Sequence, residues 1–291
     1  MGWRTVIVSG RAKLDLKLNY LVVRKKDVRK IFLDEIKSLI IESTQVSLTA
    51  ALISELSERK IKVIFCDNKH NPCCEIVNYY NKHNTSLMVK NQISWSDESK
   101  RIIWTKLVKM KIYQQYKVLN NNGINKADLL LKYIDEIRLG DATNREGHAA
   151  KVYFNSLFGT DFSRNADNPI NNMLNYGYSI ILSYFNRDVV ANGYITQIGI
   201  FHDNQFNQFN LSCDLMEPFR PLIDRIVINY YPEKFGKEEK REVLNSLDGN
   251  IINIEGRNFT LYNGISYFSK SVFEALEKSD ENIIKEIEYE L

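Results

Sequence analysis

Asp214 and Glu217 stand three residues apart, so on a helix their carboxylates share one face. Pro218 follows at once and would break a regular helix there, which predicts a kinked or interrupted segment whose freed backbone lines a site. Upstream, His202 lies in Ile200-Phe-His-Asp-Asn, and Glu146 opens its own helix in Asn144-Arg-Glu-Gly-His. Two carboxylates and one imidazole can hold Mg²⁺ or Mn²⁺, because hard cations prefer oxygen and Mn²⁺ readily accepts one nitrogen. The spacing has no regular signature. Read from the residues alone, each carboxylate is more simply explained as a solvated or salt-bridged group.

The neighbours of these residues carry their own alternatives. His148 is two positions from Glu146 and on a helix points away from it, so it reads as a packed or surface histidine. Arg145 and Arg220 suit phosphate contacts, since a guanidinium binds phosphate oxygens bidentately, and structural ion pairs are the competing role. In Gln205-Phe-Asn-Gln-Phe-Asn, Gln205 and Asn207 could bond DNA while the rings stack on bases. The same loop could instead bury Phe206 and Phe209. Cys66, His70, Cys73, Cys74 and His83 superficially suggest zinc, but they contain no Cys-x-x-Cys pair and adjacent cysteines rarely share an ion. Reduced thiols in a cytoplasm are the preferred reading of all four cysteines.

The elements that must position these groups fall into two kinds. Up to about residue 80 the apolar pattern is short and often alternating, as at Leu14, Leu16 and Leu18, which predicts strands. One helix is expected there over Thr49 to Arg59. Beyond residue 97 the period lengthens toward that of helices, including Arg145 to Phe158 and a well-signalled helix that starts at Asn168-Pro169. A short hairpin fits Ile251 to Leu261. The expected fold is α+β, with a small N-terminal β domain over 1–80 and a linker over 81–97. A larger all-α catalytic domain over 98–291 completes it.

Composition narrows the class without naming it. The 39 lysines and arginines barely exceed the 36 acidic residues, so any DNA contact must come from local clusters. The Arg24–Lys30 stretch is one, and Lys100, Arg101, Lys106, Lys109, Lys111 and Lys117 form another. A solvated hairpin and a solvated helix face are the simpler readings. No apolar run is long enough to span a bilayer, and the first residues read as a strand rather than a signal segment. A cytoplasmic protein with no membrane contact is expected.

Three motifs resemble those of one family. They are Asn144-Arg-Glu-Gly-His-Ala-Ala-Lys-Val-Tyr-Phe, Asn168-Pro-Ile-Asn-Asn-Met-Leu-Asn-Tyr-Gly-Tyr and Asp214-Leu-Met-Glu-Pro-Phe-Arg-Pro-Leu-Ile-Asp. In order and spacing they resemble the CRISPR-associated integrases of spacer acquisition, and the insert after His202 looks like the type II branch. The resemblance implies metal ligation and catalysis by Glu146, His202 and Glu217, with Asp214 as an additional ligand or an acceptor that orients one. It implies Mg²⁺ or Mn²⁺ and transesterification of a donor 3′-hydroxyl into a CRISPR repeat. The implied partners are double-stranded DNA, both spacer donor and repeat, a second copy of the chain, and the second CRISPR-associated protein. The type II effector nuclease and an additional acquisition factor join them in that branch. A general nuclease acting on branched DNA and a non-catalytic DNA-binding scaffold are the competing functions.

Overall fold

The computed structural model describes residues 2, 4–68, 72–76, 84–124, 126–249 and 251–289. The chain divides into two compact units, Met1–Tyr80 and Asn81–Leu291. The first contains β1 (Arg4–Val8), β2 (Ala12–Lys17), β3 (Tyr20–Arg24), β4 (Val28–Phe32), β5 (Ile36–Ile41) and β6 (Val46–Leu48). Helix α1 (Ala50–Glu58), β7 (Lys62–Cys66) and β8 (Pro72–Glu75) follow. These strands form two four-stranded sheets, ordered β1-β5-β7-β8 and β4-β3-β2-β6.

Alternation decides which side chains enter the core between them. Leu14 in β2 and Leu21 and Val23 in β3 point to the same apolar interior as Val6, Leu39 and Val63. Helix α1 starts at Thr49, whose hydroxyl accepts from the Leu52 N–H at 3.3 Å, and it sends Leu52 and Leu56 into that core. The pairing of β1, β5 and β7 is parallel. Such strands are buried on both faces and read as continuous apolar runs, as Leu39-Ile-Ile does. Strand β8 lies in a stretch the sequence presents as a polar loop. It is an edge strand with proline as its first residue, a position that needs no ladder donor from proline.

The second unit is built mainly of helices: α2 (Thr85–Ser94), α3 (Asp97–Asn121), α4 (Ala127–Asp135), α5 (Arg145–Phe158) and α6 (Pro169–Ala191). They are followed by α7 (Asn210–Met216), α8 (Arg220–Tyr230), α9 (Lys237–Gly249) and, after β9 (Ile251–Ile254) and β10 (Arg257–Thr260), by α10 (Leu261–Lys278). Strand β11 (Ile287–Tyr289) comes last. Two expectations need correction. Residues 85–94 of the expected linker form helix α2, because Met88 and Gln92 are buried on one side. The C-terminal part is also not all-α, since β9 pairs with both β10 and β11 in a three-stranded antiparallel sheet. The β9–β10 hairpin is visible in the sequence, whereas β11 is only three residues long and too short to show a period.

Helices α3 and α6 run through the middle of this unit. Along α6, Met173, Leu174, Ile180, Ile181, Phe185 and Val189 are buried. Gly177 lets α8 approach: a Cβ there would meet the Ile223 side chain at 2.6 Å. Among the described residues, no helix is long and apolar enough to cross a membrane.

Candidate metal centre

Helix α5 presents Glu146 in its first turn, and the residues before it fix that position. Asp141 takes the cap, its two carboxylate oxygens accepting the N–H groups of Arg145 at 2.8 Å and Glu146 at 3.0 Å. The turn leading into Asp141 is tied to α3, because the Gly140 N–H donates to Thr105 Oγ1 at 2.7 Å. Gly140 takes a left-handed conformation (φ +70°) against the Arg101 stem.

Glu217 sits at a break in the chain. Helix α7 ends at Met216, a 3-10 turn covers Glu217–Phe219, and α8 begins at Arg220, so Pro218 interrupts the helix as expected. The Pro218 carbonyl accepts from the Tyr289 hydroxyl on β11. Glu217 is almost fully buried. Its Oε1 accepts from Arg220 Nε at 2.8 Å, and its Oε2 lies 2.6 Å from Lys111 Nζ. The same ammonium donates to Glu146 Oε1 at 2.5 Å. Lys111 therefore joins the two expected ligands from its place on α3, although it is only 9% exposed. Burial pushes the Glu217 carboxyl up, but the cations Arg220 and Lys111 outweigh it and hold the group below the carboxylate range. Burial likewise pulls Lys111 down, and the charges of Glu217 and Glu146 reverse that, so it stays protonated.

His202 is placed by Asp214. The His202 Nδ1 and Asp214 Oδ1 are 2.6 Å apart. The same carboxylate, wholly buried on α7, accepts the N–H groups of Ile200 at 2.6 Å, Phe201 at 3.1 Å and His202 at 3.1 Å. Asp214 thus organises the whole His202 loop. A carboxylate partner puts the ring proton on Nδ1 and leaves the Nε2 lone pair available in the neutral ring. The hydrogen bond to Asp214 raises the His202 pKa against the opposing effect of burial, and the charges of Glu217 and Glu146 add to the rise. Gly199 makes room for the turn: a Cβ there would meet the His202 carbonyl at 2.4 Å and Asp214 Oδ2 at 2.7 Å. Trp104 of α3 stacks on Phe201 at 4.4 Å and meets the His202 ring edge-on.

The structure gathers Glu146 and Glu217 on one cation and holds His202 on Asp214. Among the described residues no three His, Cys, Asp or Glu side chains lie close enough together to hold a metal as they stand. The donor set still fits a divalent cation on one observation: two carboxylates from separate elements, Glu146 and the buried Glu217, already converge on a single positive charge, that of Lys111. Anionic oxygens gathered in this way suit a divalent ion, which binds oxygen without directional N–H geometry.

The other expected site residues take several roles. Arg220 donates to Glu217 and lies over the Tyr178 ring. Arg145 pairs with Glu136 at 3.0 Å, lies over the Tyr133 ring and is 3.3 Å from His148. His148 is an exposed histidine beside Arg145 and Tyr133. Gln205 is exposed, and Asn207 Oδ1 accepts from the Phe209 N–H at 3.0 Å. Phe206 is 83% exposed, which overturns burial of both rings in the core.

The expected basic helix face is not one surface. Lys106 pairs with Glu286 and Lys117 with Glu288, while Lys111 is inside. Trp104, Leu107, Val108, Lys111 and Gln115 follow helical spacing on one buried side of α3. A lysine in that stripe is the signal that could have found it. Of the suggested zinc residues, Cys66 is buried and Cys73 and Cys74 are exposed, none of the three in a disulfide, while His70 and His83 lie outside the described residues.

Residues 5–261 match the family described as CRISPR associated protein Cas1. The chain belongs to the Cas1 family. The CRISPR-associated endonuclease Cas1 of Neisseria meningitidis serogroup C (strain 8013) is 34% identical over 235 residues, covering 80% of this chain and 77% of that protein. Two solved structures extend the likeness to the fold. A casposase bound to integration product has a TM-score of 0.78 at 18% identity, over 96% of this chain and 92% of the other. A Cas6-RT-Cas1–Cas2 complex has a TM-score of 0.71 at 18% identity, over 97% of this chain and 36% of that longer chain. The Cas1-family match spans both units and includes Glu146, His202, Asp214 and Glu217.

Proposed function

We propose that this chain is a divalent-metal-dependent DNA integrase and endonuclease of CRISPR spacer acquisition, acting in the cytoplasm. The observation that carries the reading is the convergence of Glu146 and Glu217 beside a histidine set by Asp214, in a chain of the Cas1 family. Glu146, Glu217 and His202 would hold Mg²⁺ or Mn²⁺. Such a cation, when bound, lowers the pKa of an attacking hydroxyl and neutralises charge on phosphoryl oxygens.

The chain's own residues do the rest. Asp214 keeps the imidazole proton on Nδ1 and fixes the ring. Tyr289 fixes the Pro218 carbonyl next to Glu217. Arg220 and Arg164 line a cavity of about 110 Å³ beside Glu217 and bring positive charge close to where a phosphate would sit. The exposed Gln205–Phe206 loop is free to meet DNA. The reaction is transfer of a donor 3′-hydroxyl onto a phosphodiester at the edge of a CRISPR repeat, of the type II branch.

The Cas6-RT-Cas1–Cas2 likeness supports work with a second CRISPR-associated protein. The effector nuclease and an additional acquisition factor of the type II branch are further partners of this reading. A second copy of the chain is the remaining partner. Leu18, Tyr20 and Val28 around the β2–β3–β4 hairpins are exposed apolar residues that such a contact would cover.

The test is strand transfer of a labelled 3′-hydroxyl duplex into repeat-bearing plasmid, with the small partner protein present. It is run with Mn²⁺, with chelator and with His202→Ala. Joining that requires both the cation and His202 is expected. Cleavage without joining would assign water as the nucleophile and a general nuclease, and cation-independent binding without chemistry would leave a scaffold.

A further inference from the structure

Lys111 holds two carboxylates that reach it from separate elements, α5 and the α7–α8 break, and its ammonium lies where Glu146 Oε1 and Glu217 Oε2 converge. A divalent cation bound by the same oxygens would need metal–oxygen distances of about 2.1 Å. The ammonium and the ion cannot both occupy that position. Lysine is suited to leaving it, being a point charge on a flexible four-carbon stem.

The structure also shows where the ammonium can go. Lys111 borders the cavity of about 110 Å³ that Gln115, Tyr178 and Asp224 also line. Gln115 is one turn further along α3, and its Oε1 is buried with no hydrogen-bond partner among the described residues. The first position pairs the ammonium with two carboxylates, and the second offers the unpartnered Gln115 Oε1 and the Asp224 carboxylate beside Arg164 and Arg220.

We propose that Lys111 is a resident cation that keeps Glu146 and Glu217 together until a divalent ion displaces it toward Gln115. The proposal rests on the metal-site reading given above. It makes Lys111 a positioning residue: the two carboxylates stay assembled without metal, and the ion must compete with an ammonium to bind.

The first experiment measures Mn²⁺ binding by calorimetry to the full chain and to Lys111→Met, which keeps the stem and removes the charge. The variant should bind Mn²⁺ about tenfold tighter or more, the scale of one charge-assisted contact removed from the competition. Its metal-free melting temperature should fall, and saturating Mn²⁺ should close the gap to the parent. Equal or weaker Mn²⁺ binding by a folded Lys111→Met overturns the resident-cation role while leaving the metal site standing. No Mn²⁺ binding by either protein overturns the metal site and this proposal with it.

The second measurement needs no loss of the lysine. In the parent chain carrying ¹³C-labelled lysine, Mg²⁺ titration should move the Lys111 Cε resonance, and Gln115→Leu should weaken Mg²⁺ binding by removing the receiving oxygen. A Lys111 signal that stays fixed while Mg²⁺ binds overturns the proposal even if Lys111→Met does not fold.

Discussion

Among the buried lysines, Lys62 and Lys111 have surroundings that differ in kind. Lys62 on β7 pairs with Glu75 on the adjoining antiparallel strand β8. Lys111 on α3 faces two carboxylates, from α5 and from the α7–α8 break, and one of these is also held by Arg220. The first pair joins neighbouring strands of one sheet. The second gathers side chains from three elements distant in sequence. A buried pair within one sheet gives a cation no reason to exchange, whereas two carboxylates converging from separate helices form a position that another cation can take.

The largest effect expected from breaking this comparison is on Lys62. Lys62→Met leaves Glu75 as a buried carboxylate without its cation, which costs about 3 kcal/mol or more. Chemical denaturation should show that loss, and Mn²⁺ should not recover it. The double variant Lys62→Met with Glu75→Met should regain most of the stability, since no buried charge then lacks a partner. Recovery of Lys62→Met by Mn²⁺ would show that the two lysines do not differ as described.

The next effect sharpens the contrast on the α7 side. Asp214→Asn keeps the size of the side chain but replaces a carboxylate that accepts three backbone N–H groups and the His202 ring. Strand transfer should fall roughly 10- to 100-fold, the usual consequence of losing the carboxylate behind a metal-binding histidine. The His202 pKa, followed by the ring proton resonances, should drop because its largest raising influence is gone. An unchanged transfer rate with a lowered pKa would confine Asp214 to holding the loop.

How far the sequence disclosed these arrangements depends on whether a signal is local. Helix α5 begins at Arg145 and ends at Phe158 as the pattern predicts, and α6 begins behind the Asn168 cap with Pro169 in its first turn. The break at Pro218 is equally legible, because proline removes a donor wherever it stands. Strand β8 is not legible, since its four residues owe their conformation to pairing with β7. Helix α2 hides in a polar stretch because only Met88 and Gln92 mark its buried side. The site divides the same way. The resemblance implies Glu146, His202 and Glu217 and leaves Asp214 as a ligand or as an acceptor that orients one, whereas its four contacts with a loop twelve or more residues back are visible only in the structure. Lys111 was grouped with exposed lysines because counting charges ignores the stripe on which it lies.

A third, smaller effect separates the buried acids of the helical unit by sign. Asp224 is buried, and burial pushes its carboxyl up to about 6 against the lowering hydrogen bonds from Tyr178 and Tyr153. Its folded pKa lies above the unfolded 3.8, so the folded state binds the extra proton between these values. Stability from this group therefore rises as pH falls from above 6 toward 3.8. Glu217, held low by its cations, contributes the other way, stabilising the fold above its unfolded pKa and losing that contribution in stronger acid. Asp224→Asn should flatten the difference in melting temperature across that window, and a profile identical to the parent would remove Asp224 as its source.

The smallest effect reaches Glu217 from the end of the chain. Tyr289 of β11 donates its hydroxyl to the Pro218 carbonyl, a buried acceptor that the broken helix leaves unpaired. The C-terminal segment is further held along α3, where Gln114 Nε2 donates to the Ile287 carbonyl at 2.7 Å and Lys106 and Lys117 pair with Glu286 and Glu288. Those ion pairs are partly exposed and each contributes well under 1 kcal/mol. Tyr289→Phe keeps the ring in the core and removes only the hydroxyl, so it should cost about 1 kcal/mol of stability. If the contact also sets the residue beside it, strand transfer should fall several-fold with Mn²⁺ affinity falling alongside. Lys106→Gln with Lys117→Gln should leave both unchanged. A Tyr289→Phe protein that loses stability but keeps parental Mn²⁺ affinity would make β11 a brace for the fold alone. Loss of both would place the end of the chain among the elements that aim Glu217.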